Sequence, residues 1–169
     1  LRELIDFVEP PSVKKFLSSQ NRFSLSNSWW ERKGAKMDTE REKVRKLLGS
    51  LPKNHKVRKE HVFFTIPLNC SSTVKSNNTS IDNLLAFNIR ATNNYEDKLY
   101  AIHALNVFSN VTVSSYLSSY GFVLDEDDYA LNTIIQWLFR GCIRKRERMK
   151  VTFLCARSGA IFKNWLSVD

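Results

Sequence analysis

The six residues His61-Val-Phe-Phe-Thr-Ile66 form a β-branched and aromatic run that ends at Pro67. A short run that is apolar at successive positions is typical of a strand buried on both faces of a sheet. Two further runs share this character, Leu84-Leu-Ala-Phe-Asn-Ile89 and Val151-Thr-Phe-Leu-Cys155. Because segments with helical spacing lie between them, the sequence predicts an α/β fold with a mainly parallel sheet flanked by helices.

Helices are predicted wherever apolar residues recur at intervals of three and four positions. These segments are residues 1–8, 12–17, 38–49, 95–108, 111–120, 129–144 and 158–166. Residues 1–60 are therefore predicted to form a small basic helical subdomain, followed by an α/β domain over residues 61–169. The expected core residues are Phe63, Ile66, Leu85, Phe87, Ile135, Leu138 and Phe153.

Composition narrows the class of protein. The chain has 169 residues, of which 43% are hydrophobic and 12% aromatic, and this content excludes wholesale disorder. No apolar stretch approaches the ~20 residues that a membrane-spanning helix needs, and no secretory leader is visible. We therefore expect a cytoplasmic protein without membrane contact. Its three cysteines have no metal-ligand spacing with the histidines, so we expect reduced thiols and no metal.

The net charge of +9 is concentrated in two segments. Residues 31–60 hold eleven Lys and Arg against five acids, and residues 140–150 hold six against one. Clusters of this kind commonly meet nucleic-acid phosphate, so the sequence predicts DNA or RNA as a partner. Lys43, Arg45 and Lys46 are the expected contacts. The alternative is a solvated helix face and a basic loop with no ligand.

The longest predicted helix carries a distinctive polar ridge. Gln136, Arg140 and Arg144 are spaced four residues apart, so on a helix they would lie on one face. Guanidinium groups bind phosphate oxygens in pairs and stay charged at any physiological pH. The ridge therefore suggests a phosphate contact. The alternative is an amphipathic helix whose outer face is simply polar.

The segment Gln136-Trp-Leu-Phe-Arg140-Gly-Cys-Ile-Arg144 resembles the Gln-and-two-arginine helix that closes the second RecA-like domain of superfamily-two helicases. The resemblance covers about residues 61–166. The longer pattern from Phe87 to Trp165 is similar to the C-terminal ends of helicase-like proteins of phages and mobile elements. The resemblance implies that Arg140 and Arg144 are catalytic arginines that contact the nucleotide phosphates. It also implies that Gln136 helps to position the nucleotide.

The segment Asn88-Ile-Arg-Ala-Thr-Asn-Asn-Tyr-Glu-Asp97 occupies the place of the family's strand-to-helix segment. In that family the segment couples nucleic acid to nucleotide. The resemblance therefore implies that Arg90, Thr92 and Asn93 contact the nucleic-acid backbone or relay to the nucleotide.

A motor built on this chain needs a second component. The sequence has no G-x-x-x-x-G-K-[ST] loop and only five glycines, so it has no phosphate cradle of its own. The resemblance thus implies the second lobe of an ATP-driven helicase or translocase. ATP and Mg²⁺ would bind only when a first RecA-like lobe is supplied, in the same parent chain or by a partner protein.

Two other functions stay open from the sequence. One is a non-catalytic basic module that binds nucleic acid without nucleotide chemistry. The other is a nuclease of unrecognised type that uses the acidic run from Asp125 to Asp128. Acidic residues at a helix start also stabilise the helix dipole, and that structural role explains the run without a metal.

Overall fold

The computed structural model describes residues 2–89 and 94–167. Its strands are β1 (Ile5–Phe7), β2 (Val62–Thr65), β3 (Tyr100–His103) and β4 (Met149–Phe153). Its α-helices are α1 (Pro11–Leu17), α2 (Asn27–Glu31), α3 (Ala35–Asn54), α4 (Val111–Ser119), α5 (Glu126–Leu138) and α6 (Ala156–Ser167). Short 3₁₀ segments span Arg2–Leu4, Lys59–His61, Leu68–Val74, Ile81–Asn83 and Cys142–Lys145.

The four strands form one parallel sheet in the order β1-β4-β3-β2. Across the sheet, Phe63 lies opposite Ala101, and Ala101 lies opposite Val151. Helices cover both faces. One face packs against α1, α2 and α3 through Val13, Trp30 and Val44, and the other packs against α5 and α6. The predicted α/β class with a parallel sheet between helices is confirmed.

The order of the strands places a topological switch point between β1 and β4. The chain leaves β1 toward α1 on one face of the sheet, whereas it leaves the neighbouring β4 toward α6 on the other face. In open α/β sheets, ligands commonly bind in the crevice between two such strand ends. The carboxyl ends of β1 and β4 are therefore the first place to look for a site.

Two predicted elements at the sheet are wrong. Residues 95–108 were expected to be helical, but they contain β3, and every residue from Tyr100 to Val107 is buried. A run covered on all sides belongs to a central strand, because an amphipathic helix leaves one face exposed. Residues 84–89 were expected to be a strand, yet only Leu84 bridges to Phe64. The next carbonyl, of Leu85, accepts the indole N–H of Trp137 at 3.1 Å instead.

The first sixty residues contribute a strand of the sheet as well as helices. The predicted helix over residues 1–8 is wrong, because Ile5, Asp6 and Phe7 form β1 with an alternating burial pattern. This strand pairs with β4, and α1–α3 of the same segment cover one face of the sheet. The division of the chain at residue 60 stays a prediction about which part folds alone.

The predicted core is mostly confirmed. Phe63, Ile66, Leu85, Leu138 and Phe153 are buried, whereas Phe87 and Ile135 are only partly buried. Ile134 takes the place expected for Ile135, because the face of α5 that meets the sheet is rotated by one residue. The predicted helices over residues 12–17, 111–120 and 158–166 match α1, α4 and α6. The predicted helix over residues 38–49 corresponds to α3, which begins earlier and ends later.

Candidate nucleic-acid interface

A groove of about 740 Å³ separates α3 from the segment that follows the 3₁₀ turn Leu68–Val74. We call this the α3 groove. Its α3 wall comprises Glu42, Arg45, Lys46, Gly49, Ser50 and Lys53, and its opposite wall comprises Lys75, Ser76, Asn77 and Asn78. Ammonium, guanidinium, hydroxyl and amide groups therefore line one cavity. All of these groups donate hydrogen bonds to phosphate oxygens.

The fold builds this groove from two separate segments. The inner face of α3 is fixed to the core by Val44, Leu48 and Leu51. The opposite wall is held in place because Cys70 and Val74 of the 3₁₀ turn are buried in the same core. Close approach of the walls depends on Gly49, where a Cβ atom would lie 3.1 Å from the Cβ of Asn78.

The charges of the groove are only partly neutralised. Arg45 donates to Glu42 at 2.6 and 2.7 Å, and Lys46 lies 3.9 Å from the same carboxylate. The hydrogen bond from Arg45 lowers the pKa of Glu42, and the same bond raises the pKa of Arg45. Within the described residues, neither Lys53 nor Lys75 forms an ion pair. Four cations against one carboxylate leave the groove positively charged.

The predicted basic contacts divide between two places. Arg45 and Lys46 line the α3 groove, whereas Lys43 lines a different cavity and pairs with Glu40 at 2.6 Å. Lys53 and Lys75 were not singled out from the sequence. They lie 22 positions apart and meet only because the 3₁₀ turn packs on α3. The lysine content of residues 53–59 was the one visible signal.

The predicted ridge of Gln136, Arg140 and Arg144 is wrong, because α5 ends at Leu138. The chain turns at Gly141, where a Cβ atom would lie 2.7 Å from the Sδ of Met149 and 3.0 Å from the ring of Phe63. Such close contact with the sheet requires glycine, and the turn directs the chain back toward β4.

The two arginines of that predicted ridge have different surroundings. Arg140 is partly buried rather than exposed, and its Nη2 donates to the carbonyl of Ile89 at 3.4 Å. Its Nε is buried and has no partner among the described residues. Arg144 is exposed and lies on the 3₁₀ segment Cys142–Lys145, which precedes β4.

Gln136 lines a cavity of about 560 Å³ between α5 and residues 87–89. The structure therefore brings Gln136 and Arg140 to one segment, the segment that leads into residues 90–93. The predicted contacts Arg90, Thr92 and Asn93 lie outside the described residues. Gln136 and Arg140 can bind a ligand that enters between α5 and this segment, and the phosphate contacts expected of Arg140 and Arg144 stay a prediction.

The switch between β1 and β4 does not fit a nucleotide. The side chain of Gln20 donates to the Leu154 carbonyl at 2.6 Å and accepts from the Ala156 N–H at 2.9 Å, so it occupies the start of α6. On the other side of the crevice the chain continues from β1 into Pro10 and Pro11, which have no N–H to donate. A pyrophosphate normally needs free N–H groups at such a helix start.

Arg157 is a partly buried hub of hydrogen bonds that sequence reasoning missed. Its guanidinium donates to Asp127, to the Asn106 side chain and to the carbonyls of Val107 and Glu126. Its Cζ also lies 4.4 Å from the ring centroid of Phe108. This hub ties α6 to the start of α5. No motif marks it, since a lone arginine after a strand is a common surface residue.

The acidic run has structural partners. Asp125 accepts from the N–H groups of Asp127 and Asp128, and these backbone hydrogen bonds lower the pKa of Asp125. Glu126 accepts from the Ser109 N–H at 2.9 Å, and Asp127 pairs with Arg157 at 2.6 Å. Among residues 2–89 and 94–167, no group of three metal-ligating side chains converges. No helix in this part of the chain is long and apolar enough to cross a bilayer.

Comparisons with known proteins give a family. A family model described as the YonV C-terminal Rossmann-like domain matches residues 1–166. The SPbeta prophage-derived uncharacterized protein YonV of Bacillus subtilis (strain 168) is 34% identical over 82 residues. That match covers 48% of this chain and 20% of the relative, so the chain spans a minor part of the relative's length. No solved structure matches.

Proposed function

This chain belongs to the YonV C-terminal Rossmann-like domain family, and we propose that it binds the phosphate backbone of nucleic acid through the α3 groove. The observation that carries this proposal is the groove's composition. Arg45, Lys46, Lys53 and Lys75 line it together with serine and asparagine side chains, against one carboxylate. A groove of this chemistry favours a polyanion, because each cation that meets a phosphate releases a condensed counterion.

The family's fold supports a binding role without nucleotide chemistry. Gln20 fills the crevice where a Rossmann-like sheet would hold a pyrophosphate, and the sequence has no phosphate loop. The α3 groove lies on a helix that packs on one face of the sheet. A nucleic acid can therefore bind there while the strand ends stay closed. The proposal therefore corresponds to the non-catalytic basic module that the sequence left open, and it assigns the binding to the α3 groove.

Charge reversal in the groove tests the proposal. The double variant Lys53→Glu/Lys75→Glu should bind a fluorescein-labelled 20-bp DNA duplex at least about tenfold more weakly at 50 mM salt, as two phosphate contacts are lost. The matched control is Lys14→Glu/Lys15→Glu, which makes the same charge change at two exposed lysines of α1. Fluorescence anisotropy measures both. Equal losses in the two variants would contradict a role for the groove.

A second candidate is the second lobe of an ATP-driven helicase or translocase. The observation that favours it is the meeting of Gln136 and Arg140 at residues 87–89, beside the segment that the helicase resemblance associates with nucleic acid. In this candidate, ATP and Mg²⁺ would be held by a first RecA-like lobe, in the same parent chain or in a partner protein. With that lobe supplied, Arg140→Ala should lower ATP turnover ~10³-fold. Unchanged turnover would remove this candidate.

We place the protein in the cytoplasm. Cys70, Cys142 and Cys155 are free and buried, and a reducing compartment keeps such thiols reduced. Fractionation of cells that produce the tagged protein checks this placement. Recovery in a membrane or extracellular fraction would contradict it.

A further inference from the structure

A second cavity, of about 250 Å³, lies along the N-terminal half of α3 and is lined by the aromatic side chains of Phe16 and Trp29. We call it the Trp29 pocket. Its apolar wall consists of Phe16, Leu25, Trp29 and Met37. Leu25 is fully buried, whereas Trp29 and Met37 are only partly buried and keep part of their surface on the cavity. A flat apolar ligand would remove this surface from water.

The two adjacent tryptophans have different roles. Trp30 is buried and its indole N–H donates to the carbonyl of Ala104 at 3.3 Å, so it anchors α2 to the sheet. Trp29 contacts Trp30 edge-on, with ring centroids 5.1 Å apart and an interplanar angle of 80°. This contact fixes the Trp29 ring while leaving it on the wall of the pocket. A rigid, partly exposed aromatic face is the usual platform for a stacked base.

The charged residues at the pocket point to an anion attached to the aromatic ligand. Arg32, Lys36 and Lys43 line it, against the single carboxylate of Glu40. Lys43 pairs with Glu40, but within the described residues Arg32 and Lys36 have no carboxylate partner. The pocket thus combines a stacking face with two available cations. A nucleobase with its phosphate has the matching pair of features.

A polar group is also available for the edge of a base. The Oδ1 of Asn21 accepts from the Phe23 N–H at 2.9 Å, and the Ser24 hydroxyl accepts from the Asn21 N–H at 3.0 Å. These bonds fix the asparagine side chain in the turn. Its amide nitrogen makes no hydrogen bond among the described residues, and Asn21 is one of the residues that line the pocket. It can donate to a base carbonyl or ring nitrogen.

The Trp29 pocket and the α3 groove are joined by one helix. Lys43 lines the pocket and Lys46 lines the groove, and these residues are three positions apart on α3. Side chains three positions apart on a helix are neighbours on its surface, with Cβ atoms ~5–6 Å apart. One nucleic-acid strand can therefore lie in the α3 groove while an adjacent nucleotide of the same strand enters the Trp29 pocket. A base in a duplex is paired and stacked, so its faces are unavailable to Trp29.

We propose that the Trp29 pocket takes one unpaired nucleotide of a single-stranded nucleic acid, with the base stacked on Trp29 and its phosphate held by Arg32 and Lys36. This inference rests on the proposed function and narrows it, since the α3 groove alone would accept a duplex as readily as a single strand. The pocket makes the domain prefer single strands.

The test uses the full 169-residue chain with two probes, a labelled 20-nucleotide single strand and the duplex of the same sequence. Trp29→Ala should weaken single-strand binding about 5- to 100-fold, which is the range for loss of one stacked base. Duplex binding should change less than about twofold. Trp29→Phe should recover most of the single-strand affinity, because phenylalanine keeps a stacking face. Trp165→Ala, which alters a partly buried tryptophan of α6, is the matched control.

The other possible results distinguish a failure of the Trp29 pocket from a failure of the proposed function. Equal loss on both probes, or no loss on either, would overturn the pocket while leaving the groove in place. Failure of the wild-type chain to bind either probe at 50 mM salt would overturn the proposed function itself. A single strand substituted with 5-iodouracil should cross-link to Trp29 on irradiation. Cross-links confined to other residues would also overturn the pocket.

Discussion

Acid should destabilise this domain through His103, the last residue of β3. The ring is fully buried, and neither of its nitrogens has a hydrogen-bond partner among the described residues. It lies between Trp137 and Phe153, with ring centroids 5.2 Å away in each case. Burial in these apolar surroundings lowers the pKa of His103 from 6.5 to about 3. The folded domain therefore keeps the imidazole neutral.

The sign and size of the effect follow from proton uptake. Between pH 6.5 and pH 3 the unfolded chain binds a proton at His103 and the folded chain does not, so the free energy of unfolding falls as the pH falls. At ~1.36 kcal/mol per pKa unit, the loss is about 2 kcal/mol between pH 7 and pH 5 and about 4 kcal/mol by pH 3.5. Exposed carboxylates bind protons mainly below pH 5, so they contribute little to the change in the free energy of unfolding between pH 7 and pH 5.

Urea unfolding at a series of pH values, followed by circular dichroism, measures this loss. The variant His103→Leu removes the titrating group and keeps an apolar side chain, so its stability should change about 2 kcal/mol less between pH 7 and pH 5. Burial also lowers the pKa of His55, and the variant His55→Gln separates that contribution. Parallel pH profiles for the wild type and His103→Leu would refute the reasoning. So would an NMR titration that gave His103 an ordinary pKa.

Three further predictions concern packing and the thiols. Gly141→Ala should lower stability by ~1–3 kcal/mol, because its Cβ would lie 3.0 Å from the ring of Phe63; an unchanged thermal melting temperature would contradict this. Arg157→Gln should cost about 3 kcal/mol in urea unfolding, since several partly buried hydrogen bonds are lost together; a loss under ~0.5 kcal/mol would show that these bonds contribute little to stability. Burial raises the pKa of Cys142 to about 11 and also raises that of Cys155. Both thiols should therefore react with a disulfide reagent at pH 8 only as fast as the domain unfolds, and immediate labelling of the native protein would argue against their burial.

The sequence predicted the fold class because two of the strands have unmistakable patterns. The predicted runs at residues 61–66 and 151–155 overlap β2 (Val62–Thr65) and β4 (Met149–Phe153), and an almost wholly apolar run of this length is typical of a buried strand. Residues 100–103 have the same burial, but Leu99, Ile102 and His103 also fit helical spacing. Short apolar runs fit both periods, so only pairing with β2 and β4 resolves the ambiguity.

The edge strand β1 and the C-terminal end of α5 were mispredicted, because both are determined by tertiary contacts that a local sequence pattern does not show. Ile5-Asp6-Phe7 becomes a strand because β4 offers an unpaired edge, although its spacing also suits a helix. The end of α5 is set by the approach of Gly141 to Met149 of β4 and to Phe63, which is far away in sequence. The spacing of Gln136, Arg140 and Arg144 therefore suggested a ridge that the folded chain does not form.

The candidate site was predictable in its chemistry but not in its position. The charge count of residues 31–60 indicated an anion-binding surface, and Arg45 and Lys46 line the α3 groove. The unpaired cations of the groove are Lys53 and Lys75, which come from two segments. Lys75 lies in a stretch rich in Ser, Asn and Thr, between the predicted strands at residues 61–66 and 84–89. Its position depends on the burial of Val74 against α3, and this contact has no signature in the sequence.

The salt dependence of duplex binding tests the central claim most directly. If about three phosphates are neutralised in the α3 groove, the logarithm of the binding constant should fall against the logarithm of salt concentration with a slope of about −2.7. Affinity would then drop ~40-fold between 50 and 200 mM salt. In Lys53→Glu/Lys75→Glu the slope should approach about −0.9, the value for one remaining phosphate contact. A slope that is the same in this variant and in the wild type would contradict the claim that the groove binds the phosphate backbone.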